Sequence, residues 1–385
     1  MTGPSLHIVH IITGLGQGGA EAVLYRLATS AGQTARHTVI SLTDSGVFGE
    51  RLRAAGVTVH TVGMARGRFS LGGFLTLTRL IREAEPDVVQ TWMYHADLIG
   101  GLAARRVGIK AVCWGIRNSG AFLEKSSASA RLMLRICAKL SRRVPRAIVV
   151  CAQDAADRHQ ALGYDGARMR VIPNGYDLAR FAPDALARDR VRQEWGIGAD
   201  EVLLGCVARW DPLKDHANLL AAIAALDAED KGGGVRCVLV GRGMTADNAQ
   251  LAALIEQLGL RQRLILAGPR DDIPAVMNAL DAHVLSSRAE GFPNVVAEAM
   301  ACGTPCVVTQ VGDAALIVGD TGWVAPPERS AALSGALVSA VEAVRQYGRD
   351  TVGEHGRRRV HEMFSLEQMV RSYTELWREV KKEEA

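Results

Sequence analysis

The sequence predicts an α/β fold with two doubly wound parallel-sheet domains, both of the Rossmann-like type. Short apolar runs alternate with segments of helical periodicity in both halves of the chain. Strands joined by helical crossovers form right-handed βαβ units and a parallel sheet. A chain of 385 residues also exceeds the usual size of a single hydrophobic core. We therefore expect two domains that face a central ligand-binding cleft.

The N-terminal half begins with a continuous apolar strand at residues 6–12, followed by a helix at 20–30. Another helix, at 71–85, ends before Pro86. The Pro-Asn-Gly turn within residues 171–177 closes this series of elements. Between these points the apolar runs predict further strands at 37–44, 87–92, 111–116 and 147–152.

A second series of elements follows the charged, weakly patterned stretch up to Asp200, which predicts the linker. We place the domains at residues 1–180 and 195–365. An amphipathic terminal helix within 366–385 is expected to pack back on the first domain. The second domain is predicted to contain a helix at 216–229 and strands at 201–208, 236–241, 263–268, 282–287 and 305–309.

Net charge and cysteine content limit the partners and the compartment that we expect for the protein. The net charge of +4 is mild, and we expect no nucleic-acid partner. The seven cysteines are odd in number and lie mostly in apolar runs, which predicts buried free thiols in a reducing compartment. Cys302 and Cys306 lack a second ligand pair, so we expect no zinc site. Without a recognisable signal peptide or membrane span, we expect a cytoplasmic protein.

A glycine-rich loop follows the first strand. Residues Gly14 to Gly19 read G-x-G-x-x-G between a strand and a helix, which is typical of a phosphate-binding loop. Asp44 ends the second strand, where a dinucleotide-binding enzyme carries its ribose-binding carboxylate. The loop alone therefore leaves an NAD-binding site, another phosphate site and a ligand-free turn open.

The segment at residues 288–313 carries the strongest functional pattern. Glu290 follows a strand, and Glu298 lies about one turn into the next helix. A turn and the start of that helix separate the two acids, so their N–H groups are expected to face an anion or a hydroxyl-rich ligand. Of the seven intervening residues, Gly291, Phe292, Pro293 and Asn294 form the predicted turn, and Val295 begins the predicted helix.

Three other loops end strands of the second domain. Arg209 and Lys214 follow its first strand, where two cations can neutralise a diphosphate. Gly241 and Gly243 follow the second strand, and Arg270 lies just after the third. Because parallel strands present their carboxyl ends at one edge, we expect these loops to share one rim.

In this order, the motifs resemble the retaining glycosyltransferases of family 4, which have the GT-B fold. The resemblance covers nearly the whole chain. It rests on GGAE at 18–21, VIPNG at 171–175, the Arg209 and Lys214 pair, and the spacing of Glu290 and Glu298. WMYHAD at 92–97 is similar to members that build bacterial surface polysaccharides such as O-antigen or capsule.

The resemblance implies roles for these residues. Arg209 and Lys214 would hold the diphosphate of a nucleotide sugar, and Glu298 would bind the ribose hydroxyls. Glu290 and the backbone of 291–295 would hold the transferred sugar. Gly18 and Gly19 would lie against the phosphates from the other side of the cleft, and the loop near Arg270 would meet the base.

One position departs from the family pattern. Many members carry a histidine after the strand that here ends in Ile116, where this chain has Arg117 and Asn118. The nearest histidine is His95, after the preceding strand. Arg117 and His95 both remain candidates for that role.

The resemblance predicts transfer of a hexose or N-acetylhexosamine with retention, with a UDP-sugar as the default donor and GDP-mannose as an alternative. No D-x-D motif is present, and Asp271-Asp272 lies at a predicted helix start, where a cap is expected. We therefore expect neither a metal nor another cofactor. The expected acceptor is a lipid-linked glycan or an oligosaccharide.

A basic stretch predicts where the acceptor side lies. Residues 101–146 contain eleven Lys or Arg and one acid, Glu124. Within them, 126–146 predicts a basic amphipathic helix, which either packs on the core with a solvated face or docks to anionic lipid at the inner face of the membrane. Its predicted apolar stripe is Leu132, Ile136, Cys137 and Leu140.

Three other functions fit parts of the sequence pattern. An NAD-dependent oxidoreductase would use Gly14–Gly19 and Asp44, but it leaves the Glu290–Glu298 segment unexplained. A nucleotide-sugar epimerase has a similar two-domain fold and would need acid and base residues that the pattern does not identify. A catalytically silent sugar-nucleotide binder is disfavoured because the charged residues are all present.

Overall fold

The computed structural model describes residues 6–30, 35–65, 67–118, 120, 128–228 and 234–382. The chain divides into two compact units. The first unit combines the chain up to Gly175 with the segment from Leu366, and the second runs from Tyr176 to Ser365.

Strands and helices alternate through the first unit. Its elements are β1 (Leu6–Ile12), α1 (Gly19–Ser30), β2 (Ala35–Ser41), α2 (Gly46–Ala54), β3 (Thr58–Thr61), α3 (Leu71–Ala84), β4 (Val88–Trp92), α4 (Tyr94–Arg106), β5 (Val112–Ile116), α5 (Ala128–Leu140), β6 (Ala147–Val150), α6 (Gln153–Ala161) and β7 (Met169–Val171). Over the described residues these strands form one seven-stranded parallel sheet in the order β3-β2-β1-β4-β5-β6-β7.

The second unit has the same alternation. Its elements are α7 (Ala185–Glu194), β8 (Val202–Val207), α8 (His216–Ala228), β9 (Val235–Val240), α9 (Ala249–Gln257), β10 (Leu264–Gly268), α10 (Ile273–Ala279), β11 (Ala282–Leu285), α11 (Asn294–Ala301), β12 (Cys306–Thr309), α12 (Ala314–Val318), β13 (Trp323–Ala325), α13 (Ser330–Tyr347) and α14 (Arg349–Met363). Across its described part, a six-stranded parallel sheet has the order β10-β9-β8-β11-β12-β13. The predicted fold class is confirmed.

The predicted linker is wrong, because the segment before Asp200 contains helix α7. Asp184 caps this helix by accepting a 2.9 Å hydrogen bond from the N–H of Ala187. Arg188 and Arg192 of the helix both bind the carboxylate of Asp281, whose side chain is 6% exposed. Because charged rather than apolar side chains anchor α7, its hydrophobic pattern is weak.

The terminal helix, α15 (Leu366–Lys382), completes the core of the first unit, as predicted for this amphipathic segment. Trp377 is fully buried, and its indole N–H donates to Oε1 of Gln90 in β4. The ring also packs against His10 and His37, which stack on each other with centroids 5.1 Å apart. His10 therefore has a structural position in the core.

The predicted apolar stripe of the basic helix is buried only in part. Leu134, Cys137 and Ala138 of α5 are buried, whereas Leu132 and Ile136 are exposed. The apolar residues therefore lie on two sides of the helix, and one side faces away from the core. Glu124, the single acid of this stretch, lies outside the described residues.

The structure also shows the state of the cysteines and the character of the helices. All seven cysteines are buried and free, as predicted. Among the described residues, no helix is both long enough and apolar enough to cross a bilayer.

Candidate functional site

The site in the second unit is built where the strand order of its sheet reverses. β8 lies between β9 and β11, so the chain leaves β8 in one direction and returns to pair on its other side. In parallel sheets, such a switch point leaves a crevice at the carboxyl ends of the two strands. The loops after β8 and β11 therefore lie side by side, and they carry Lys214 and Glu290.

A tight turn after β8 positions Lys214. Residues Pro212–Lys214 form one turn of 3₁₀-helix, which Asp211 caps by accepting from the N–H of Leu213 at 2.9 Å. The following residue, Asp215, has left-handed backbone geometry with φ of 49°. The hydroxyl of Ser286, at the end of β11, donates to the carbonyl of Lys214 at 2.8 Å. The turn is thus fixed to the neighbouring strand.

The charges of Lys214 and Glu290 form a direct pair. Nζ of Lys214 lies 2.6 Å from Oε1 of Glu290, and their side chains are 21% and 13% exposed. The hydroxyl of Ser287 donates to the same carboxylate oxygen at 2.6 Å. An ammonium group has three donors, so Lys214 keeps two for a ligand.

Contacts with Gly312, Asp313 and Phe364 hold the loop that carries Glu290 in place. Gly312, after β12, has φ of 50°, and a Cβ at this position would lie 2.3 Å from the carbonyl oxygen of Gly291. The N–H of Asp313 donates to that same carbonyl at 3.1 Å. Phe292 is buried against Phe364, with ring centroids 5.5 Å apart. The loop is therefore held by backbone and core contacts.

Helix α11 follows this loop. It begins at Asn294, whose Oδ1 accepts a 2.6 Å hydrogen bond from the hydroxyl of Tyr176. Pro293 occupies the N-cap position, and Val295 and Glu298, both half-buried, lie within the helix. The predicted arrangement of the two acids, one in the loop and one in the helix, is confirmed.

Arg209 lies on the same loop as Lys214 but is not part of the buried pair. Its side chain is 61% exposed, and its guanidinium binds Asp211 at 2.8 Å. An exposed ion pair of this kind contributes little stability, so Arg209 can exchange Asp211 for a ligand at low cost.

His216 and Trp210, for which the sequence pattern predicted no role, pack beside this turn. Their rings stack with centroids 5.3 Å apart, and Nε2 of His216 is buried without a hydrogen-bond partner in the described part of the chain. Burial and the neighbouring Lys214 charge lower the pKa of His216 to about 4. A histidine directly after the Lys-Asp pair was the available signal.

The glycines of the next loop allow two segments to approach each other. Gly241 has φ of 142°, and a Cβ there would lie 2.2 Å from the carbonyl oxygen of Ala208. A Cβ on Gly243, with φ of 81°, would lie 2.8 Å from Cβ of Trp210. Both glycines therefore bring the loops after β8 and β9 together at one rim, as the sequence predicted.

The resemblance predicted that the loop near Arg270 meets the nucleotide base, whereas the Arg270 side chain binds acidic residues of its own unit. Its guanidinium binds Glu194 of α7 and Asp272, and it lies over the ring of Trp195. Asp272 occupies the N-cap position of α10 but makes no capping hydrogen bond, because its carboxylate binds Arg270. The predicted cap is therefore wrong, and the Arg270 side chain is engaged within its own unit.

In the first unit, the glycine-rich loop joins β1 to α1. Gly18 lies directly before the helix, Gly19 is its first residue, and both are exposed. The carboxylate of Glu21 folds back to where a Cβ of Gly18 would be. The loop is tied to the next crossover, because the N–H of Phe48 donates to the carbonyl of Leu15 at 3.0 Å.

The two candidates for the missing histidine lie in different surroundings. Arg117 follows β5; its guanidinium donates to Oδ1 of Asn174 at 2.6 Å and lies over the ring of Trp92. His95, in the first turn of α4, is half-buried and lines a cavity, and burial lowers the pKa of its ring. The structure does not join the two side chains into one group.

A polar group that sequence reasoning missed surrounds Tyr94. Its hydroxyl donates to Oδ1 of Asn118 at 2.6 Å and lies 2.5 Å from Nε2 of buried His159. Burial raises the pKa of Tyr94. The sequence pattern of the WMYHAD segment pointed to His95, whereas the hydrogen bonds described above belong to the neighbouring Tyr94.

Within the part of the chain that the structure describes, no three His, Cys, Asp or Glu side chains form a group that could hold an ion.

Two family models match the chain in sequence. The model described as Glycosyltransferase Family 4 matches residues 17–180, and the model described as Glycosyl transferases group 1 matches residues 201–343. The second match falls within the second unit, and the first covers most of the first unit and extends five residues into the second.

Two relatives are similar over much of the chain. EpsF of Bacillus subtilis, which is named as a glycosyltransferase, is 27% identical over 321 residues and 80% of each chain. An Escherichia coli protein named UDP-Gal:alpha-D-GlcNAc-diphosphoundecaprenol alpha-1,3-galactosyltransferase is 27% identical over 241 residues. That match covers 62% of this chain and 61% of the relative.

Solved structures share the fold. HepE of Anabaena in complex with UDP superimposes with a TM-score of 0.84 at 22% identity, over 96% of this chain and 99% of that chain. Sucrose-phosphate synthase of Thermosynechococcus elongatus gives 0.79 at 18% identity, over 98% and 100%. Another structure of HepE contains UDP-glucose.

Proposed function

Because the chain belongs to the family 4 glycosyltransferases of the GT-B fold, we propose that it is a retaining hexosyltransferase. In this proposal, a hexose or N-acetylhexosamine moves from a UDP-sugar to a lipid-linked glycan during polysaccharide synthesis. The observation that carries it is the contact of Lys214 with Glu290 at the carboxyl edge of β8 and β11. A cation and an acid at a switch point suit a ligand with both phosphate and hydroxyl groups.

The cations of the site would stabilise the departing nucleotide. A nucleoside diphosphate leaves readily once its charge is neutralised, and Lys214 has two donors to spare for its oxygens. Exposed Arg209 adds a second cation, and the N-terminus of α11 adds the positive end of a helix dipole. Such fixed donors stabilise charge that develops in the transition state.

Glu290 would orient the sugar. Its carboxylate is fixed by Lys214 and Ser287, so its remaining acceptor capacity is directed without further ordering. Glu298 and the 291–295 backbone would bind the ribose and sugar hydroxyls. In this mechanism the acceptor hydroxyl attacks the face from which the nucleotide leaves, and a donor phosphate oxygen takes its proton.

The identities of donor and acceptor rest on the relatives. HepE binds UDP and UDP-glucose, and the name of the Escherichia coli relative gives UDP-Gal as donor and a diphosphoundecaprenol-linked acceptor. We propose a donor and an acceptor of the same classes here, without a metal or cofactor in the transfer step. The acceptor would be reached by docking α5 and its basic surroundings against the membrane.

The proposal is tested with a panel of UDP-, GDP- and ADP-sugars and NAD. We expect UDP to raise the melting temperature, and one UDP-sugar to release UDP when a diphosphoundecaprenol-linked sugar is added. Proton NMR of the product should show the donor's anomeric configuration, and excess chelator should leave the rate unchanged. Stabilisation by NAD alone, or an inverted product, contradicts the proposal.

A further inference from the structure

The first unit contains a cavity of about 250 Å³ at the carboxyl edge of its sheet. Loops after β1, β2 and β3 and the helices α4 and α5 enclose it. Six of the residues that line it are large and apolar: Leu42, Met64, Phe69, Leu98, Ile99 and Met133. This edge is where ligands of parallel α/β sheets bind, and nothing in the proposed donor chemistry occupies it.

The polar side chains of the cavity can all donate hydrogen bonds. Thr13 presents a buried hydroxyl that has no hydrogen-bond partner within the described residues. The ring of His95 is partly desolvated, which lowers its pKa, and a neutral imidazole keeps one N–H donor. Arg68, an exposed cation on the loop before α3, adds a guanidinium. No described residue that lines the cavity is acidic.

These features select one class of ligand. A free sugar presents hydroxyls in all directions and needs many polar partners, which the apolar wall does not supply. A phosphate accepts hydrogen bonds and suits convergent donors that include a guanidinium. An apolar chain suits the wall. The complementary ligand is therefore an amphiphile with a phosphate at one end.

The exposed surface next to the cavity has the same character. Phe69 is 63% exposed at the cavity, and Leu71 and Leu75 of the following helix are also exposed. On α5, exposed Leu132 neighbours Met133 of the cavity wall. A cavity of this size holds only part of a lipid chain, and these side chains offer an apolar continuation for the remainder.

We propose that this cavity binds the phosphate-bearing end of a lipid phosphate acceptor. The phosphate contacts Thr13, His95 and Arg68, and the first part of the chain lies against the apolar wall. This inference rests on the proposed function, because it identifies the acceptor class and gives His95 a role in binding the acceptor.

Farnesyl phosphate, below its micellar concentration, is the probe for the full-length chain, and isothermal titration calorimetry is the measurement. We expect saturable one-to-one binding, with farnesol weaker by roughly tenfold or more because it lacks the charged acceptor. Millimolar inorganic phosphate should not compete measurably, since it lacks the chain. Equal affinity for farnesyl phosphate and inorganic phosphate would show a simple anion site and overturn the proposal.

Three variants locate the binding. Ala65→Trp fills the cavity from an exposed lining position and should weaken farnesyl phosphate roughly tenfold or more. Leu162→Trp adds the same side chain at an exposed position after α6 that does not line the cavity, and it should bind like wild type. Arg68→Gln should remove the preference for farnesyl phosphate over farnesol. Wild-type affinity in Ala65→Trp would overturn the proposal.

Thermal stabilisation by UDP separates this inference from the proposed function. We expect UDP to stabilise the wild type and all three variants equally. Stabilisation by UDP without any binding of farnesyl phosphate refutes the cavity and leaves the proposed function intact. Binding of farnesyl phosphate without any effect of UDP refutes the proposed function instead.

Discussion

Nζ of Lys214 lies 2.6 Å from Oε1 of Glu290, although the two residues are 76 positions apart in the chain. The contact exists because β8 and β11 are neighbours in the sheet while their sequences are distant. It holds a cation and an acid in fixed positions before a ligand binds, which reduces the ordering cost of binding.

Replacing Lys214 by alanine should abolish most transfer. We expect the rate to fall on the order of a hundredfold or more, because a fixed cation on the departing phosphate is lost. Steady-state UDP release measures this. Arg358→Ala removes an exposed cation that pairs with Glu354 on α14 and should leave the rate unchanged. Normal turnover in the Lys214 variant would refute its assignment.

Gly312→Ala should damage the site without touching a charged residue. A Cβ at Gly312 would lie 2.3 Å from the carbonyl of Gly291, so the Glu290 loop must move. We expect a loss of about 1–3 kcal/mol in unfolding free energy and a raised KM for the donor. In Gly335→Ala, an exposed helical position with open space, stability should rise by about 0.5–1 kcal/mol. An unchanged KM in Gly312→Ala would contradict a fixed loop.

Asp97 should make the protein less stable as pH rises from about 4 to 8. Burial raises the pKa of this carboxyl to about 8, against the opposing hydrogen bonds from Thr91 and Gly115. Between its unfolded and folded pKa values, the folded chain binds a proton that the unfolded chain has lost, so stability falls with increasing pH.

Asp97→Asn removes this titration while keeping the shape of the side chain. We expect its melting temperature relative to wild type to increase from pH 5 to pH 8. The measurement is a pair of thermal melts at each pH. Parallel curves for the two proteins would show that Asp97 ionises normally.

The exposed apolar side chains of α5 should mediate membrane binding. Leu132 is 58% exposed among basic neighbours, so we expect association with anionic vesicles at low salt and release at high salt. Vesicle flotation measures this. Leu132→Glu should reduce the bound fraction several-fold, whereas Leu186→Glu, at an 83% exposed site of the second unit, should not. Binding that is independent of salt contradicts the electrostatic interpretation.

Sequence patterns predicted the strands that are buried along their whole length and the helices that bury a single apolar face. β1 is buried along its whole length, and α15 has one strongly apolar face, so their periodicity is clear. β3 is an edge strand with partly exposed residues, and its sequence lacks a continuous apolar run. α7 is held by guanidinium groups that bind a carboxylate and backbone carbonyls, a pattern that hydrophobic periodicity does not detect.

The sequence predicted which loops carry the site residues, but not which of their side chains contact each other. Strand-end positions of Lys214 and Glu290 follow from alternation of strands and helices. Their direct pairing follows only from the strand order, which brings β8 beside β11. Arg270 was predicted to be available near the base, but Glu194 comes from a helix that the sequence did not reveal. The position of Thr13 in the cavity wall likewise depends on loops that converge from three strands.

Helix α15 has a consequence for synthesis on the ribosome. The first unit buries Trp377 in its core, so its own N-terminal segment emerges long before the residues that complete it. The second unit is continuous from Tyr176 to Ser365 and can fold as soon as it emerges. Domains usually fold in the order of synthesis, whereas here the unit that begins first is completed by α15, which is made after the whole second unit.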